Sequence, residues 1–308
     1  MSVAKLLERI SGRGWQGRVV RVEHLPELRE AIEGPHARGL ISEDLYRAEF
    51  AKFRYELPAE LPGAKSIAVV AVPAPQGRVT FHWRGQALAA AVPPTYRRYR
   101  KTDESVRAVL AEWLAELGFR AAAGYLPLKT LAVRSGLAEW GRNNIAFVRG
   151  LGSHLQLAAA FTDMPCPDDA WREPKPLDRC ASCTACVARC PTKAISKDRF
   201  LIDAGRCAVF HNESARPLPD YVAAAPFDSI VGCMRCQVVC PENKEVRKQF
   251  DALAELSEEE TEMLVGCVPF DRLPAATAAK LHGLEINPSY EAICRNVGIF
   301  IRQNESPR

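Results

Sequence analysis

The stretch Cys180-Ala181-Ser182-Cys183-Thr184-Ala185-Cys186-Val187-Ala188-Arg189-Cys190-Pro191 decides how this chain is read. Three thiolates within seven residues can wrap three corners of one inorganic cluster, while the turn at Pro191 carries the fourth cysteine away. A second block, Gly232-Cys233-Met234-Arg235-Cys236-Gln237-Val238-Val239-Cys240-Pro241, repeats the last three cysteine positions of the first. Cys207, standing between the blocks, supplies the missing first position.

The spacing C-x2-C-x2-C-x3-C-P is the bacterial ferredoxin run, whose fourth cysteine ligates the other cluster in two-cluster proteins. Crossed ligation then gives one 4Fe–4S cluster on Cys180, Cys183, Cys186 and Cys240, and a second on Cys190, Cys207, Cys233 and Cys236. Structural zinc asks instead for two separated C-x2-C pairs closing a tetrahedron, a poorer match to two successive x2 spacings. The competing reading of Cys207 is a spectator thiol beside a single cluster. Cys166, Cys267 and Cys294 lack partner spacing and are expected to be buried free thiols.

Working outward, 308 residues with 47% hydrophobic content can form one large or two ordinary domains. A net charge of +4, from 41 basic against 37 acidic side chains, argues against a dedicated nucleic-acid coat or a polybasic membrane protein. No apolar run approaches the roughly 18 residues that cross a bilayer, and the first residues carry Glu8 without a signal-peptide core. A cytoplasmic protein is expected, where clustered thiols hold metal more often than they form disulfides.

Upstream, Ser66–Val72 is a continuous β-branched run expected as a strand buried on both faces, followed by a shorter strand at Val79–Trp83. Leu25–Ile32 has helical spacing and is expected to stop at Gly34-Pro35. A helix capped by Asp103 carries the stripe Val106, Val109, Leu110, Trp113, Leu114 and Leu117 up to Gly118. Leu128–Ser135 reads as a second helix with Gly136 as its stop, and Asn144–Val148 and Leu155–Phe161 read as strands. Alternating strands and helices indicate an α/β domain over residues 1–165. The Pro- and charge-rich stretch Pro165–Pro176 marks a boundary, with a ferredoxin-like domain expected over 166–250 and a helical segment over 251–308, opened by a Ser257/Glu260 capping box. No Gly-x-Gly-x-x-Gly loop follows a strand, so a Rossmann flavin or nicotinamide site has no support.

Three segments resemble the family of epoxyqueuosine reductases and reductive dehalogenases. They are Ser135-Gly136-Leu137-Ala138-Glu139-Trp140-Gly141-Arg142-Asn143-Asn144, Phe161-Thr162-Asp163-Met164-Pro165, and the cysteine block with Pro191-Thr192-Lys193-Ala194-Ile195 and Cys236–Asn243. Leu126–Leu137 and Phe210-His211-Asn212-Glu213 resemble an uncharacterised epoxyqueuosine reductase-like branch. The resemblance implies an α/β (α+β), nitroreductase-like cobalamin-binding domain, then a two-cluster ferredoxin-like domain and a short helical C-terminal tail. It implies a bound cobalamin held near Trp140, Gly141, Arg142, Asn143, Asn144, Ser153 and His154, whose amide and hydroxyl groups suit a corrin's amide rim. The plain alternative for Gly141–Asn144 is a turn entering a strand.

Two departures stand out. The family's aspartate proton donor has no counterpart in Ala121-Ala122-Ala123-Gly124-Tyr125, and little chain follows Cys240 to form tRNA-holding repeats. Lys129, expected to be partly buried with a depressed pKa, and Tyr125 are the candidate acids. His211 is a candidate to cover the corrin or tune a cluster, against a structural role. Tyr96-Arg97-Arg98-Tyr99-Arg100-Lys101 is a basic, aromatic patch that suits RNA or a cofactor's anionic groups, against a solvated loop.

The leading expectation is a reductase in which ferredoxin or flavodoxin feeds two 4Fe–4S clusters, which reduce cobalamin, which acts on a small organic or nucleoside-like substrate. An electron-transfer or cobalamin-handling protein without turnover is the alternative, and epoxyqueuosine reduction on tRNA is the least favoured. The ligand count makes a direct prediction. Anaerobic reconstitution should load about eight irons per chain in the wild type and about four in Cys207→Ser, one cubane having been lost; equal iron in both would remove Cys207 from the ligand set.

Overall fold

The computed structural model describes residues 2–286 and 289–305. Among the described residues the strands are β1 (Gln16–Arg21), β2 (Ser66–Pro73), β3 (Gln76–Trp83), β4 (Gln86–Val92), β5 (Ala121–Ala122), β6 (Glu139–Trp140), β7 (Ala146–Phe147), β8 (Leu155–Thr162) and β9 (Phe250–Leu256). They are shared between two compact units.

The first unit comprises the chain to Pro73, Tyr99–Cys183 and Asp198–Asp203. Its main sheet has the order β1-β2-β8-β5, and every pairing in it is antiparallel. Side chains of β2 and β8 alternate between two cores. Ile67, Val69, Ala71, Leu157, Ala159 and Phe161 face one way, against Leu25 and Leu28 and against Leu131–Val133. Ala68, Val70, Ala158 and Ala160 face the other, against Leu6, Ile10, Val106, Leu110 and Leu114. Helices cover both faces, so β2 and β8 are largely apolar although the sheet is antiparallel, which makes the unit α+β rather than a parallel α/β sandwich.

The helix expected from Asp103 begins at Tyr99 and runs to Glu116. Asp103 is therefore inside it, paired with Arg107 one turn on at 2.5 Å instead of capping the end. The helix expected to stop at Gly34-Pro35 continues to Ala37. Gly34 brings no Cβ to clash with the proline ring, and Pro35 falls where only the last turn loses a hydrogen bond. Of the expected Asn144–Val148 strand, Ala146–Phe147 pairs with Glu139–Trp140 and Val148 makes an isolated bridge to Gly152, while Asn144 and Ile145 belong to the turn.

The second unit comprises Ala74–Arg98, Thr184–Lys197 and the chain from Ala204. The β3–β4 hairpin turns through Arg84-Gly85, both left-handed at φ 49° and 73°, the two-residue geometry that matches strand twist. On its other edge β3 takes β9 as a parallel partner. Val79, Phe81, Ala90 and Val92 pack there with Leu256, Leu264, Val297, Phe300 and Ile301. The units therefore depart from the expected 1–165, 166–250 and 251–308 division: the Val79–Trp83 strand expected in the first domain joins the C-terminal helices as part of a hairpin, and the segment expected to be helical contributes a strand. The Ser257/Glu260 capping box forms with both its hydrogen bonds.

The Leu128–Arg134 helix ends at Ser135 in a Schellman motif, with Leu137 N donating to Ala132 O (3.0 Å) and Gly136 N to Val133 O (3.1 Å). Gly136 sits at φ 73°, where a Cβ costs roughly 1–2 kcal/mol. Gly136→Ala should lower the free energy of unfolding by about that amount in urea titration, and an unchanged midpoint would show that this cap is not held.

Candidate iron–sulfur and cofactor site

The cysteine segment has little core of its own and is shaped by backbone geometry. Cys190, Cys207 and Cys240 share one extended conformation (φ −67°, −67° and −68°; ψ 114°, 126° and 126°). Cys190 and Cys240 each follow a short helix, Ala185–Arg189 or Arg235–Val238, that carries an earlier cysteine of its block, so the sequence repeat is also a conformational one. Among the described residues no three His, Cys, Asp or Glu side chains converge closely enough to hold a single metal ion. A cubane instead takes one thiolate at each iron corner.

Buried amides set the turn into Cys233. Asn212 Nδ2 donates to Gly232 O at 2.6 Å, and Gly232 N donates to Asn212 Oδ1 at 3.0 Å. Asn296 Nδ2 in turn donates to Asn212 O (2.8 Å) and Ile230 O (3.0 Å). Asn212 and Asn296 are essentially inaccessible to water. Gly232, at φ 67°, packs so tightly that a Cβ would stand 2.8 Å from the Tyr96 ring. Ala194 N donates to Cys190 Sγ at 3.3 Å, a contact that stabilises negative charge on that sulfur. Burial, reinforced by Asp228, pushes the Cys233 thiol up to about 12, and burial also raises Cys207. Burial disfavours the thiolate at these positions, and a nearby cation would favour it.

In the first unit, Trp140–Asn144 form a β-hairpin tip. Gly141 N donates to Ile145 O (2.8 Å), Asn144 N to Gly141 O (2.9 Å), and Asn144 is left-handed at φ 60°, the three-residue loop geometry. The turn reading of Gly141–Asn144 thus holds, and it coexists with an unusual polar interior. Arg142, Asn143, Ser153 and His154 are all buried. Arg142 donates to Cys180 O at 2.7 Å, with its guanidinium 4.4 Å from the Phe200 ring centre. Trp140 exchanges backbone hydrogen bonds with Lys175 and Leu177 (both 2.9 Å), and Leu177 O receives Cys180 N. The hairpin tip and Cys180, the first cysteine of the run, are thereby one hydrogen-bonded assembly. Asn143 Oδ1 accepts from Ile145 N at 3.4 Å, whereas its Nδ2 is buried with no hydrogen-bond partner among the described residues.

The candidate acids are placed less favourably. Lys129 is exposed at the start of its helix, so the burial expected to depress its pKa is absent. Tyr125 is 53% exposed, its ring against Phe53. His211, in the second unit, has Nε2 2.7 Å from Gly205 O and 3.2 Å from the Tyr221 hydroxyl, which braces the turn before Cys207. Its neighbour Asn212, which the sequence did not single out, is the residue of that motif that shapes the site. The first half of the basic patch is spent on internal contacts: the Tyr96 hydroxyl donates to Glu213, Arg97 forms an ion pair with Asp251, and Arg98 one with Glu285 at 2.6 Å. Cys166 and Cys294 are buried as expected, but Cys267 is exposed and lies against Cys294. Gln156 is buried within β8; a polar residue interrupting the Leu155–Phe161 apolar run was its available signal.

Residues 179–243 match the family model of a 4Fe-4S double cluster binding domain, so this chain is an iron–sulfur protein with a two-cluster segment. Its homologues are epoxyqueuosine reductases, which are oxidoreductases. The protein of that name from Staphylococcus aureus is 28% identical over 235 residues, covering 73% of this chain and 60% of that one, and the Aliivibrio fischeri protein is 32% identical over 139 residues, covering 44% and 36%. The chain spans about half the length of such relatives. Among solved structures, epoxyqueuosine reductase from Bacillus subtilis, with its catalytic aspartate loop swung out of the active site, superposes with a TM-score of 0.68 at 21% identity, covering 97% of this chain and 81% of that one. An epoxyqueuosine reductase solved with an epoxyqueuosine-modified tRNA-Tyr stem loop gives 0.68 at 20% identity, covering 97% and 80%. The chain has their fold.

Asn212→Ala removes two hydrogen bonds across the buried turn at Gly232. It should cost about 2–3 kcal/mol of stability and lower iron loading more than an exposed control such as Asn304→Ala does, read by thermal melting and iron analysis.

Proposed function

We propose that this chain is an iron–sulfur oxidoreductase of the epoxyqueuosine reductase kind, passing electrons through two 4Fe–4S clusters to reduce a modified nucleoside carried on tRNA. The observation that carries this reading is a likeness extending over 97% of the chain to a reductase solved with an epoxyqueuosine-modified tRNA stem loop. It reverses the order expected from the sequence, in which a small organic substrate led and tRNA came last. The internally paired Tyr96–Arg98 segment is not required to hold the RNA, and no helix among the described residues is long and apolar enough to cross a membrane.

Cobalamin, implied by the family, is tested by the polar interior of the hairpin. Asn143 Nδ2 is a buried amide donor with no partner among the described residues, an arrangement that costs stability unless something else accepts its hydrogen bond. The group fits: Trp140, Arg142, Asn143, Asn144, Ser153 and His154 would hold it, with Asn143 donating to an acceptor on its rim. Bound there, cobalamin would supply a strongly reducing metal centre. Arg142 would fix the loop against the Cys180 carbonyl, keeping the cofactor loop and the first cluster cysteine in register. A second reading, an electron-transfer or cobalamin-handling protein, is favoured by one observation: Ala121–Tyr125 contains no carboxylate, and Lys129 and Tyr125 are exposed.

The test is anaerobic turnover of an epoxyqueuosine-modified tRNA-Tyr stem loop by the reconstituted protein, followed by mass spectrometry of the nucleosides. Conversion to the reduced nucleoside is expected, and retained iron and cobalt without conversion would install the second reading. Asn143→Ala should weaken cobalamin retention about tenfold, the worth of one buried hydrogen bond, while leaving iron unchanged.

A further inference from the structure

A cavity of about 320 Å³ opens on the second unit beside Cys190. Its lining includes Arg189, Lys193 and Arg235 and no acidic residue. Arg189 and Lys193 are exposed and make no ion pair among the described residues. Arg235 Nε is buried without a hydrogen-bond partner among them, its Nη1 lying 3.9 Å from Asp228. The cavity borders the segments of all four cysteines assigned to the second cluster. Cys190, only 7% exposed, is part of its wall, and Arg235 lies between Cys233 and Cys236. Tyr221, another wall residue, is 3.2 Å by its hydroxyl from Gly205 O, two residues before Cys207.

We infer that this concave basic face is where an acidic, one-electron carrier protein docks to reduce the second cluster. The inference rests on the two-cluster reading above. Cations that face solvent at a rim speed and orient encounter with a negatively charged partner more than they lend affinity, as suits a carrier that must leave after each transfer. Redox encounters of this kind use small interfaces, below about 1,200 Å². A cluster thiolate in the wall gives such a partner something to exchange, which a free phosphate would not use. In each encounter one electron leaves the reduced carrier and enters the oxidised cluster; no bond forms or breaks and no proton moves.

The experiment uses the reconstituted holoprotein and a reduced, acidic [2Fe–2S] ferredoxin. Stopped-flow bleaching of the clusters gives the transfer rate, and biolayer interferometry with oxidised ferredoxin gives binding directly. Arg189→Gln/Lys193→Gln should slow transfer roughly tenfold at low ionic strength, weaken binding comparably, and flatten the salt dependence. Its reduction by dithionite and its iron content should match the wild type, and Lys5→Gln, on the first helix of the other unit, should behave as the wild type throughout. Unchanged rate, binding and salt dependence in the double variant would overturn the docking site. So would weakened binding of a tRNA stem loop with carrier transfer unchanged, which would give the face to nucleic acid. Failure of the wild type to load two clusters would instead overturn the two-cluster reading beneath it, a result the iron analysis separates from the others.

Discussion

Asn212 holds Gly232 from both sides, donating to its carbonyl and accepting from its amide, and is itself held by Asn296. Cysteine loops that surround a cluster have few apolar side chains with which to fix themselves. Their shape must come from hydrogen bonds, and a hydrogen bond shapes a loop reliably only where water cannot compete for it. The two asparagines meet that condition by being buried, at positions where each unsatisfied amide would carry a desolvation cost. The geometry around Cys233 therefore depends on the C-terminal helix Tyr290–Asn304, from which Asn296 projects. That helix is part of the site's foundation, although it contains none of the assigned ligands.

The same logic governs the other polar interior. Arg142 reaches the Cys180 carbonyl, and the Trp140 backbone is laced to Lys175 and Leu177. A loop that resembles a cofactor-binding motif is thus fixed to the start of the cysteine run by polar contacts rather than by packing. For the electron-transfer role proposed above, such rigidity would serve a purpose: little reorganises when charge arrives. The reading as a reductase gains from this coherence between the two sites, beyond the motifs each carries.

Much of this was legible beforehand, for reasons that differ by element. Cysteine spacing is stringent because a cubane fixes how far apart its ligands stand, so the double-cluster segment could be read from twelve residues and a repeat. The strands Ser66–Pro73 and Leu155–Thr162 were legible because both their faces are buried, and the Ser257/Glu260 cap because its chemistry is local. What escaped notice depends on partners distant in the chain. Nothing near Val79–Trp83 announces that β9 will pair with it, nothing near Asn212 names Gly232, and the exposure of Lys129 is decided by what surrounds its helix. Within Phe210–Glu213 the titratable histidine drew attention, whereas the amide beside it organises the loop.

The pairing of β3 with β9 has a consequence for how the polypeptide is made. His82 and Glu255 meet across that ladder although 173 residues separate them. On the ribosome, the β3–β4 hairpin emerges early, yet its parallel partner is synthesised only when most of the chain has already left the exit tunnel. Until then one edge of β3 is open, an invitation to mispairing that the hairpin must survive while the cysteines emerge as free thiols. Closing so long a loop comes late and slowly. Nascent chains of this protein therefore pass through a long interval in which an unpaired strand edge and unloaded thiols are exposed together, and that interval is when chaperones and cluster-delivery factors have most to do.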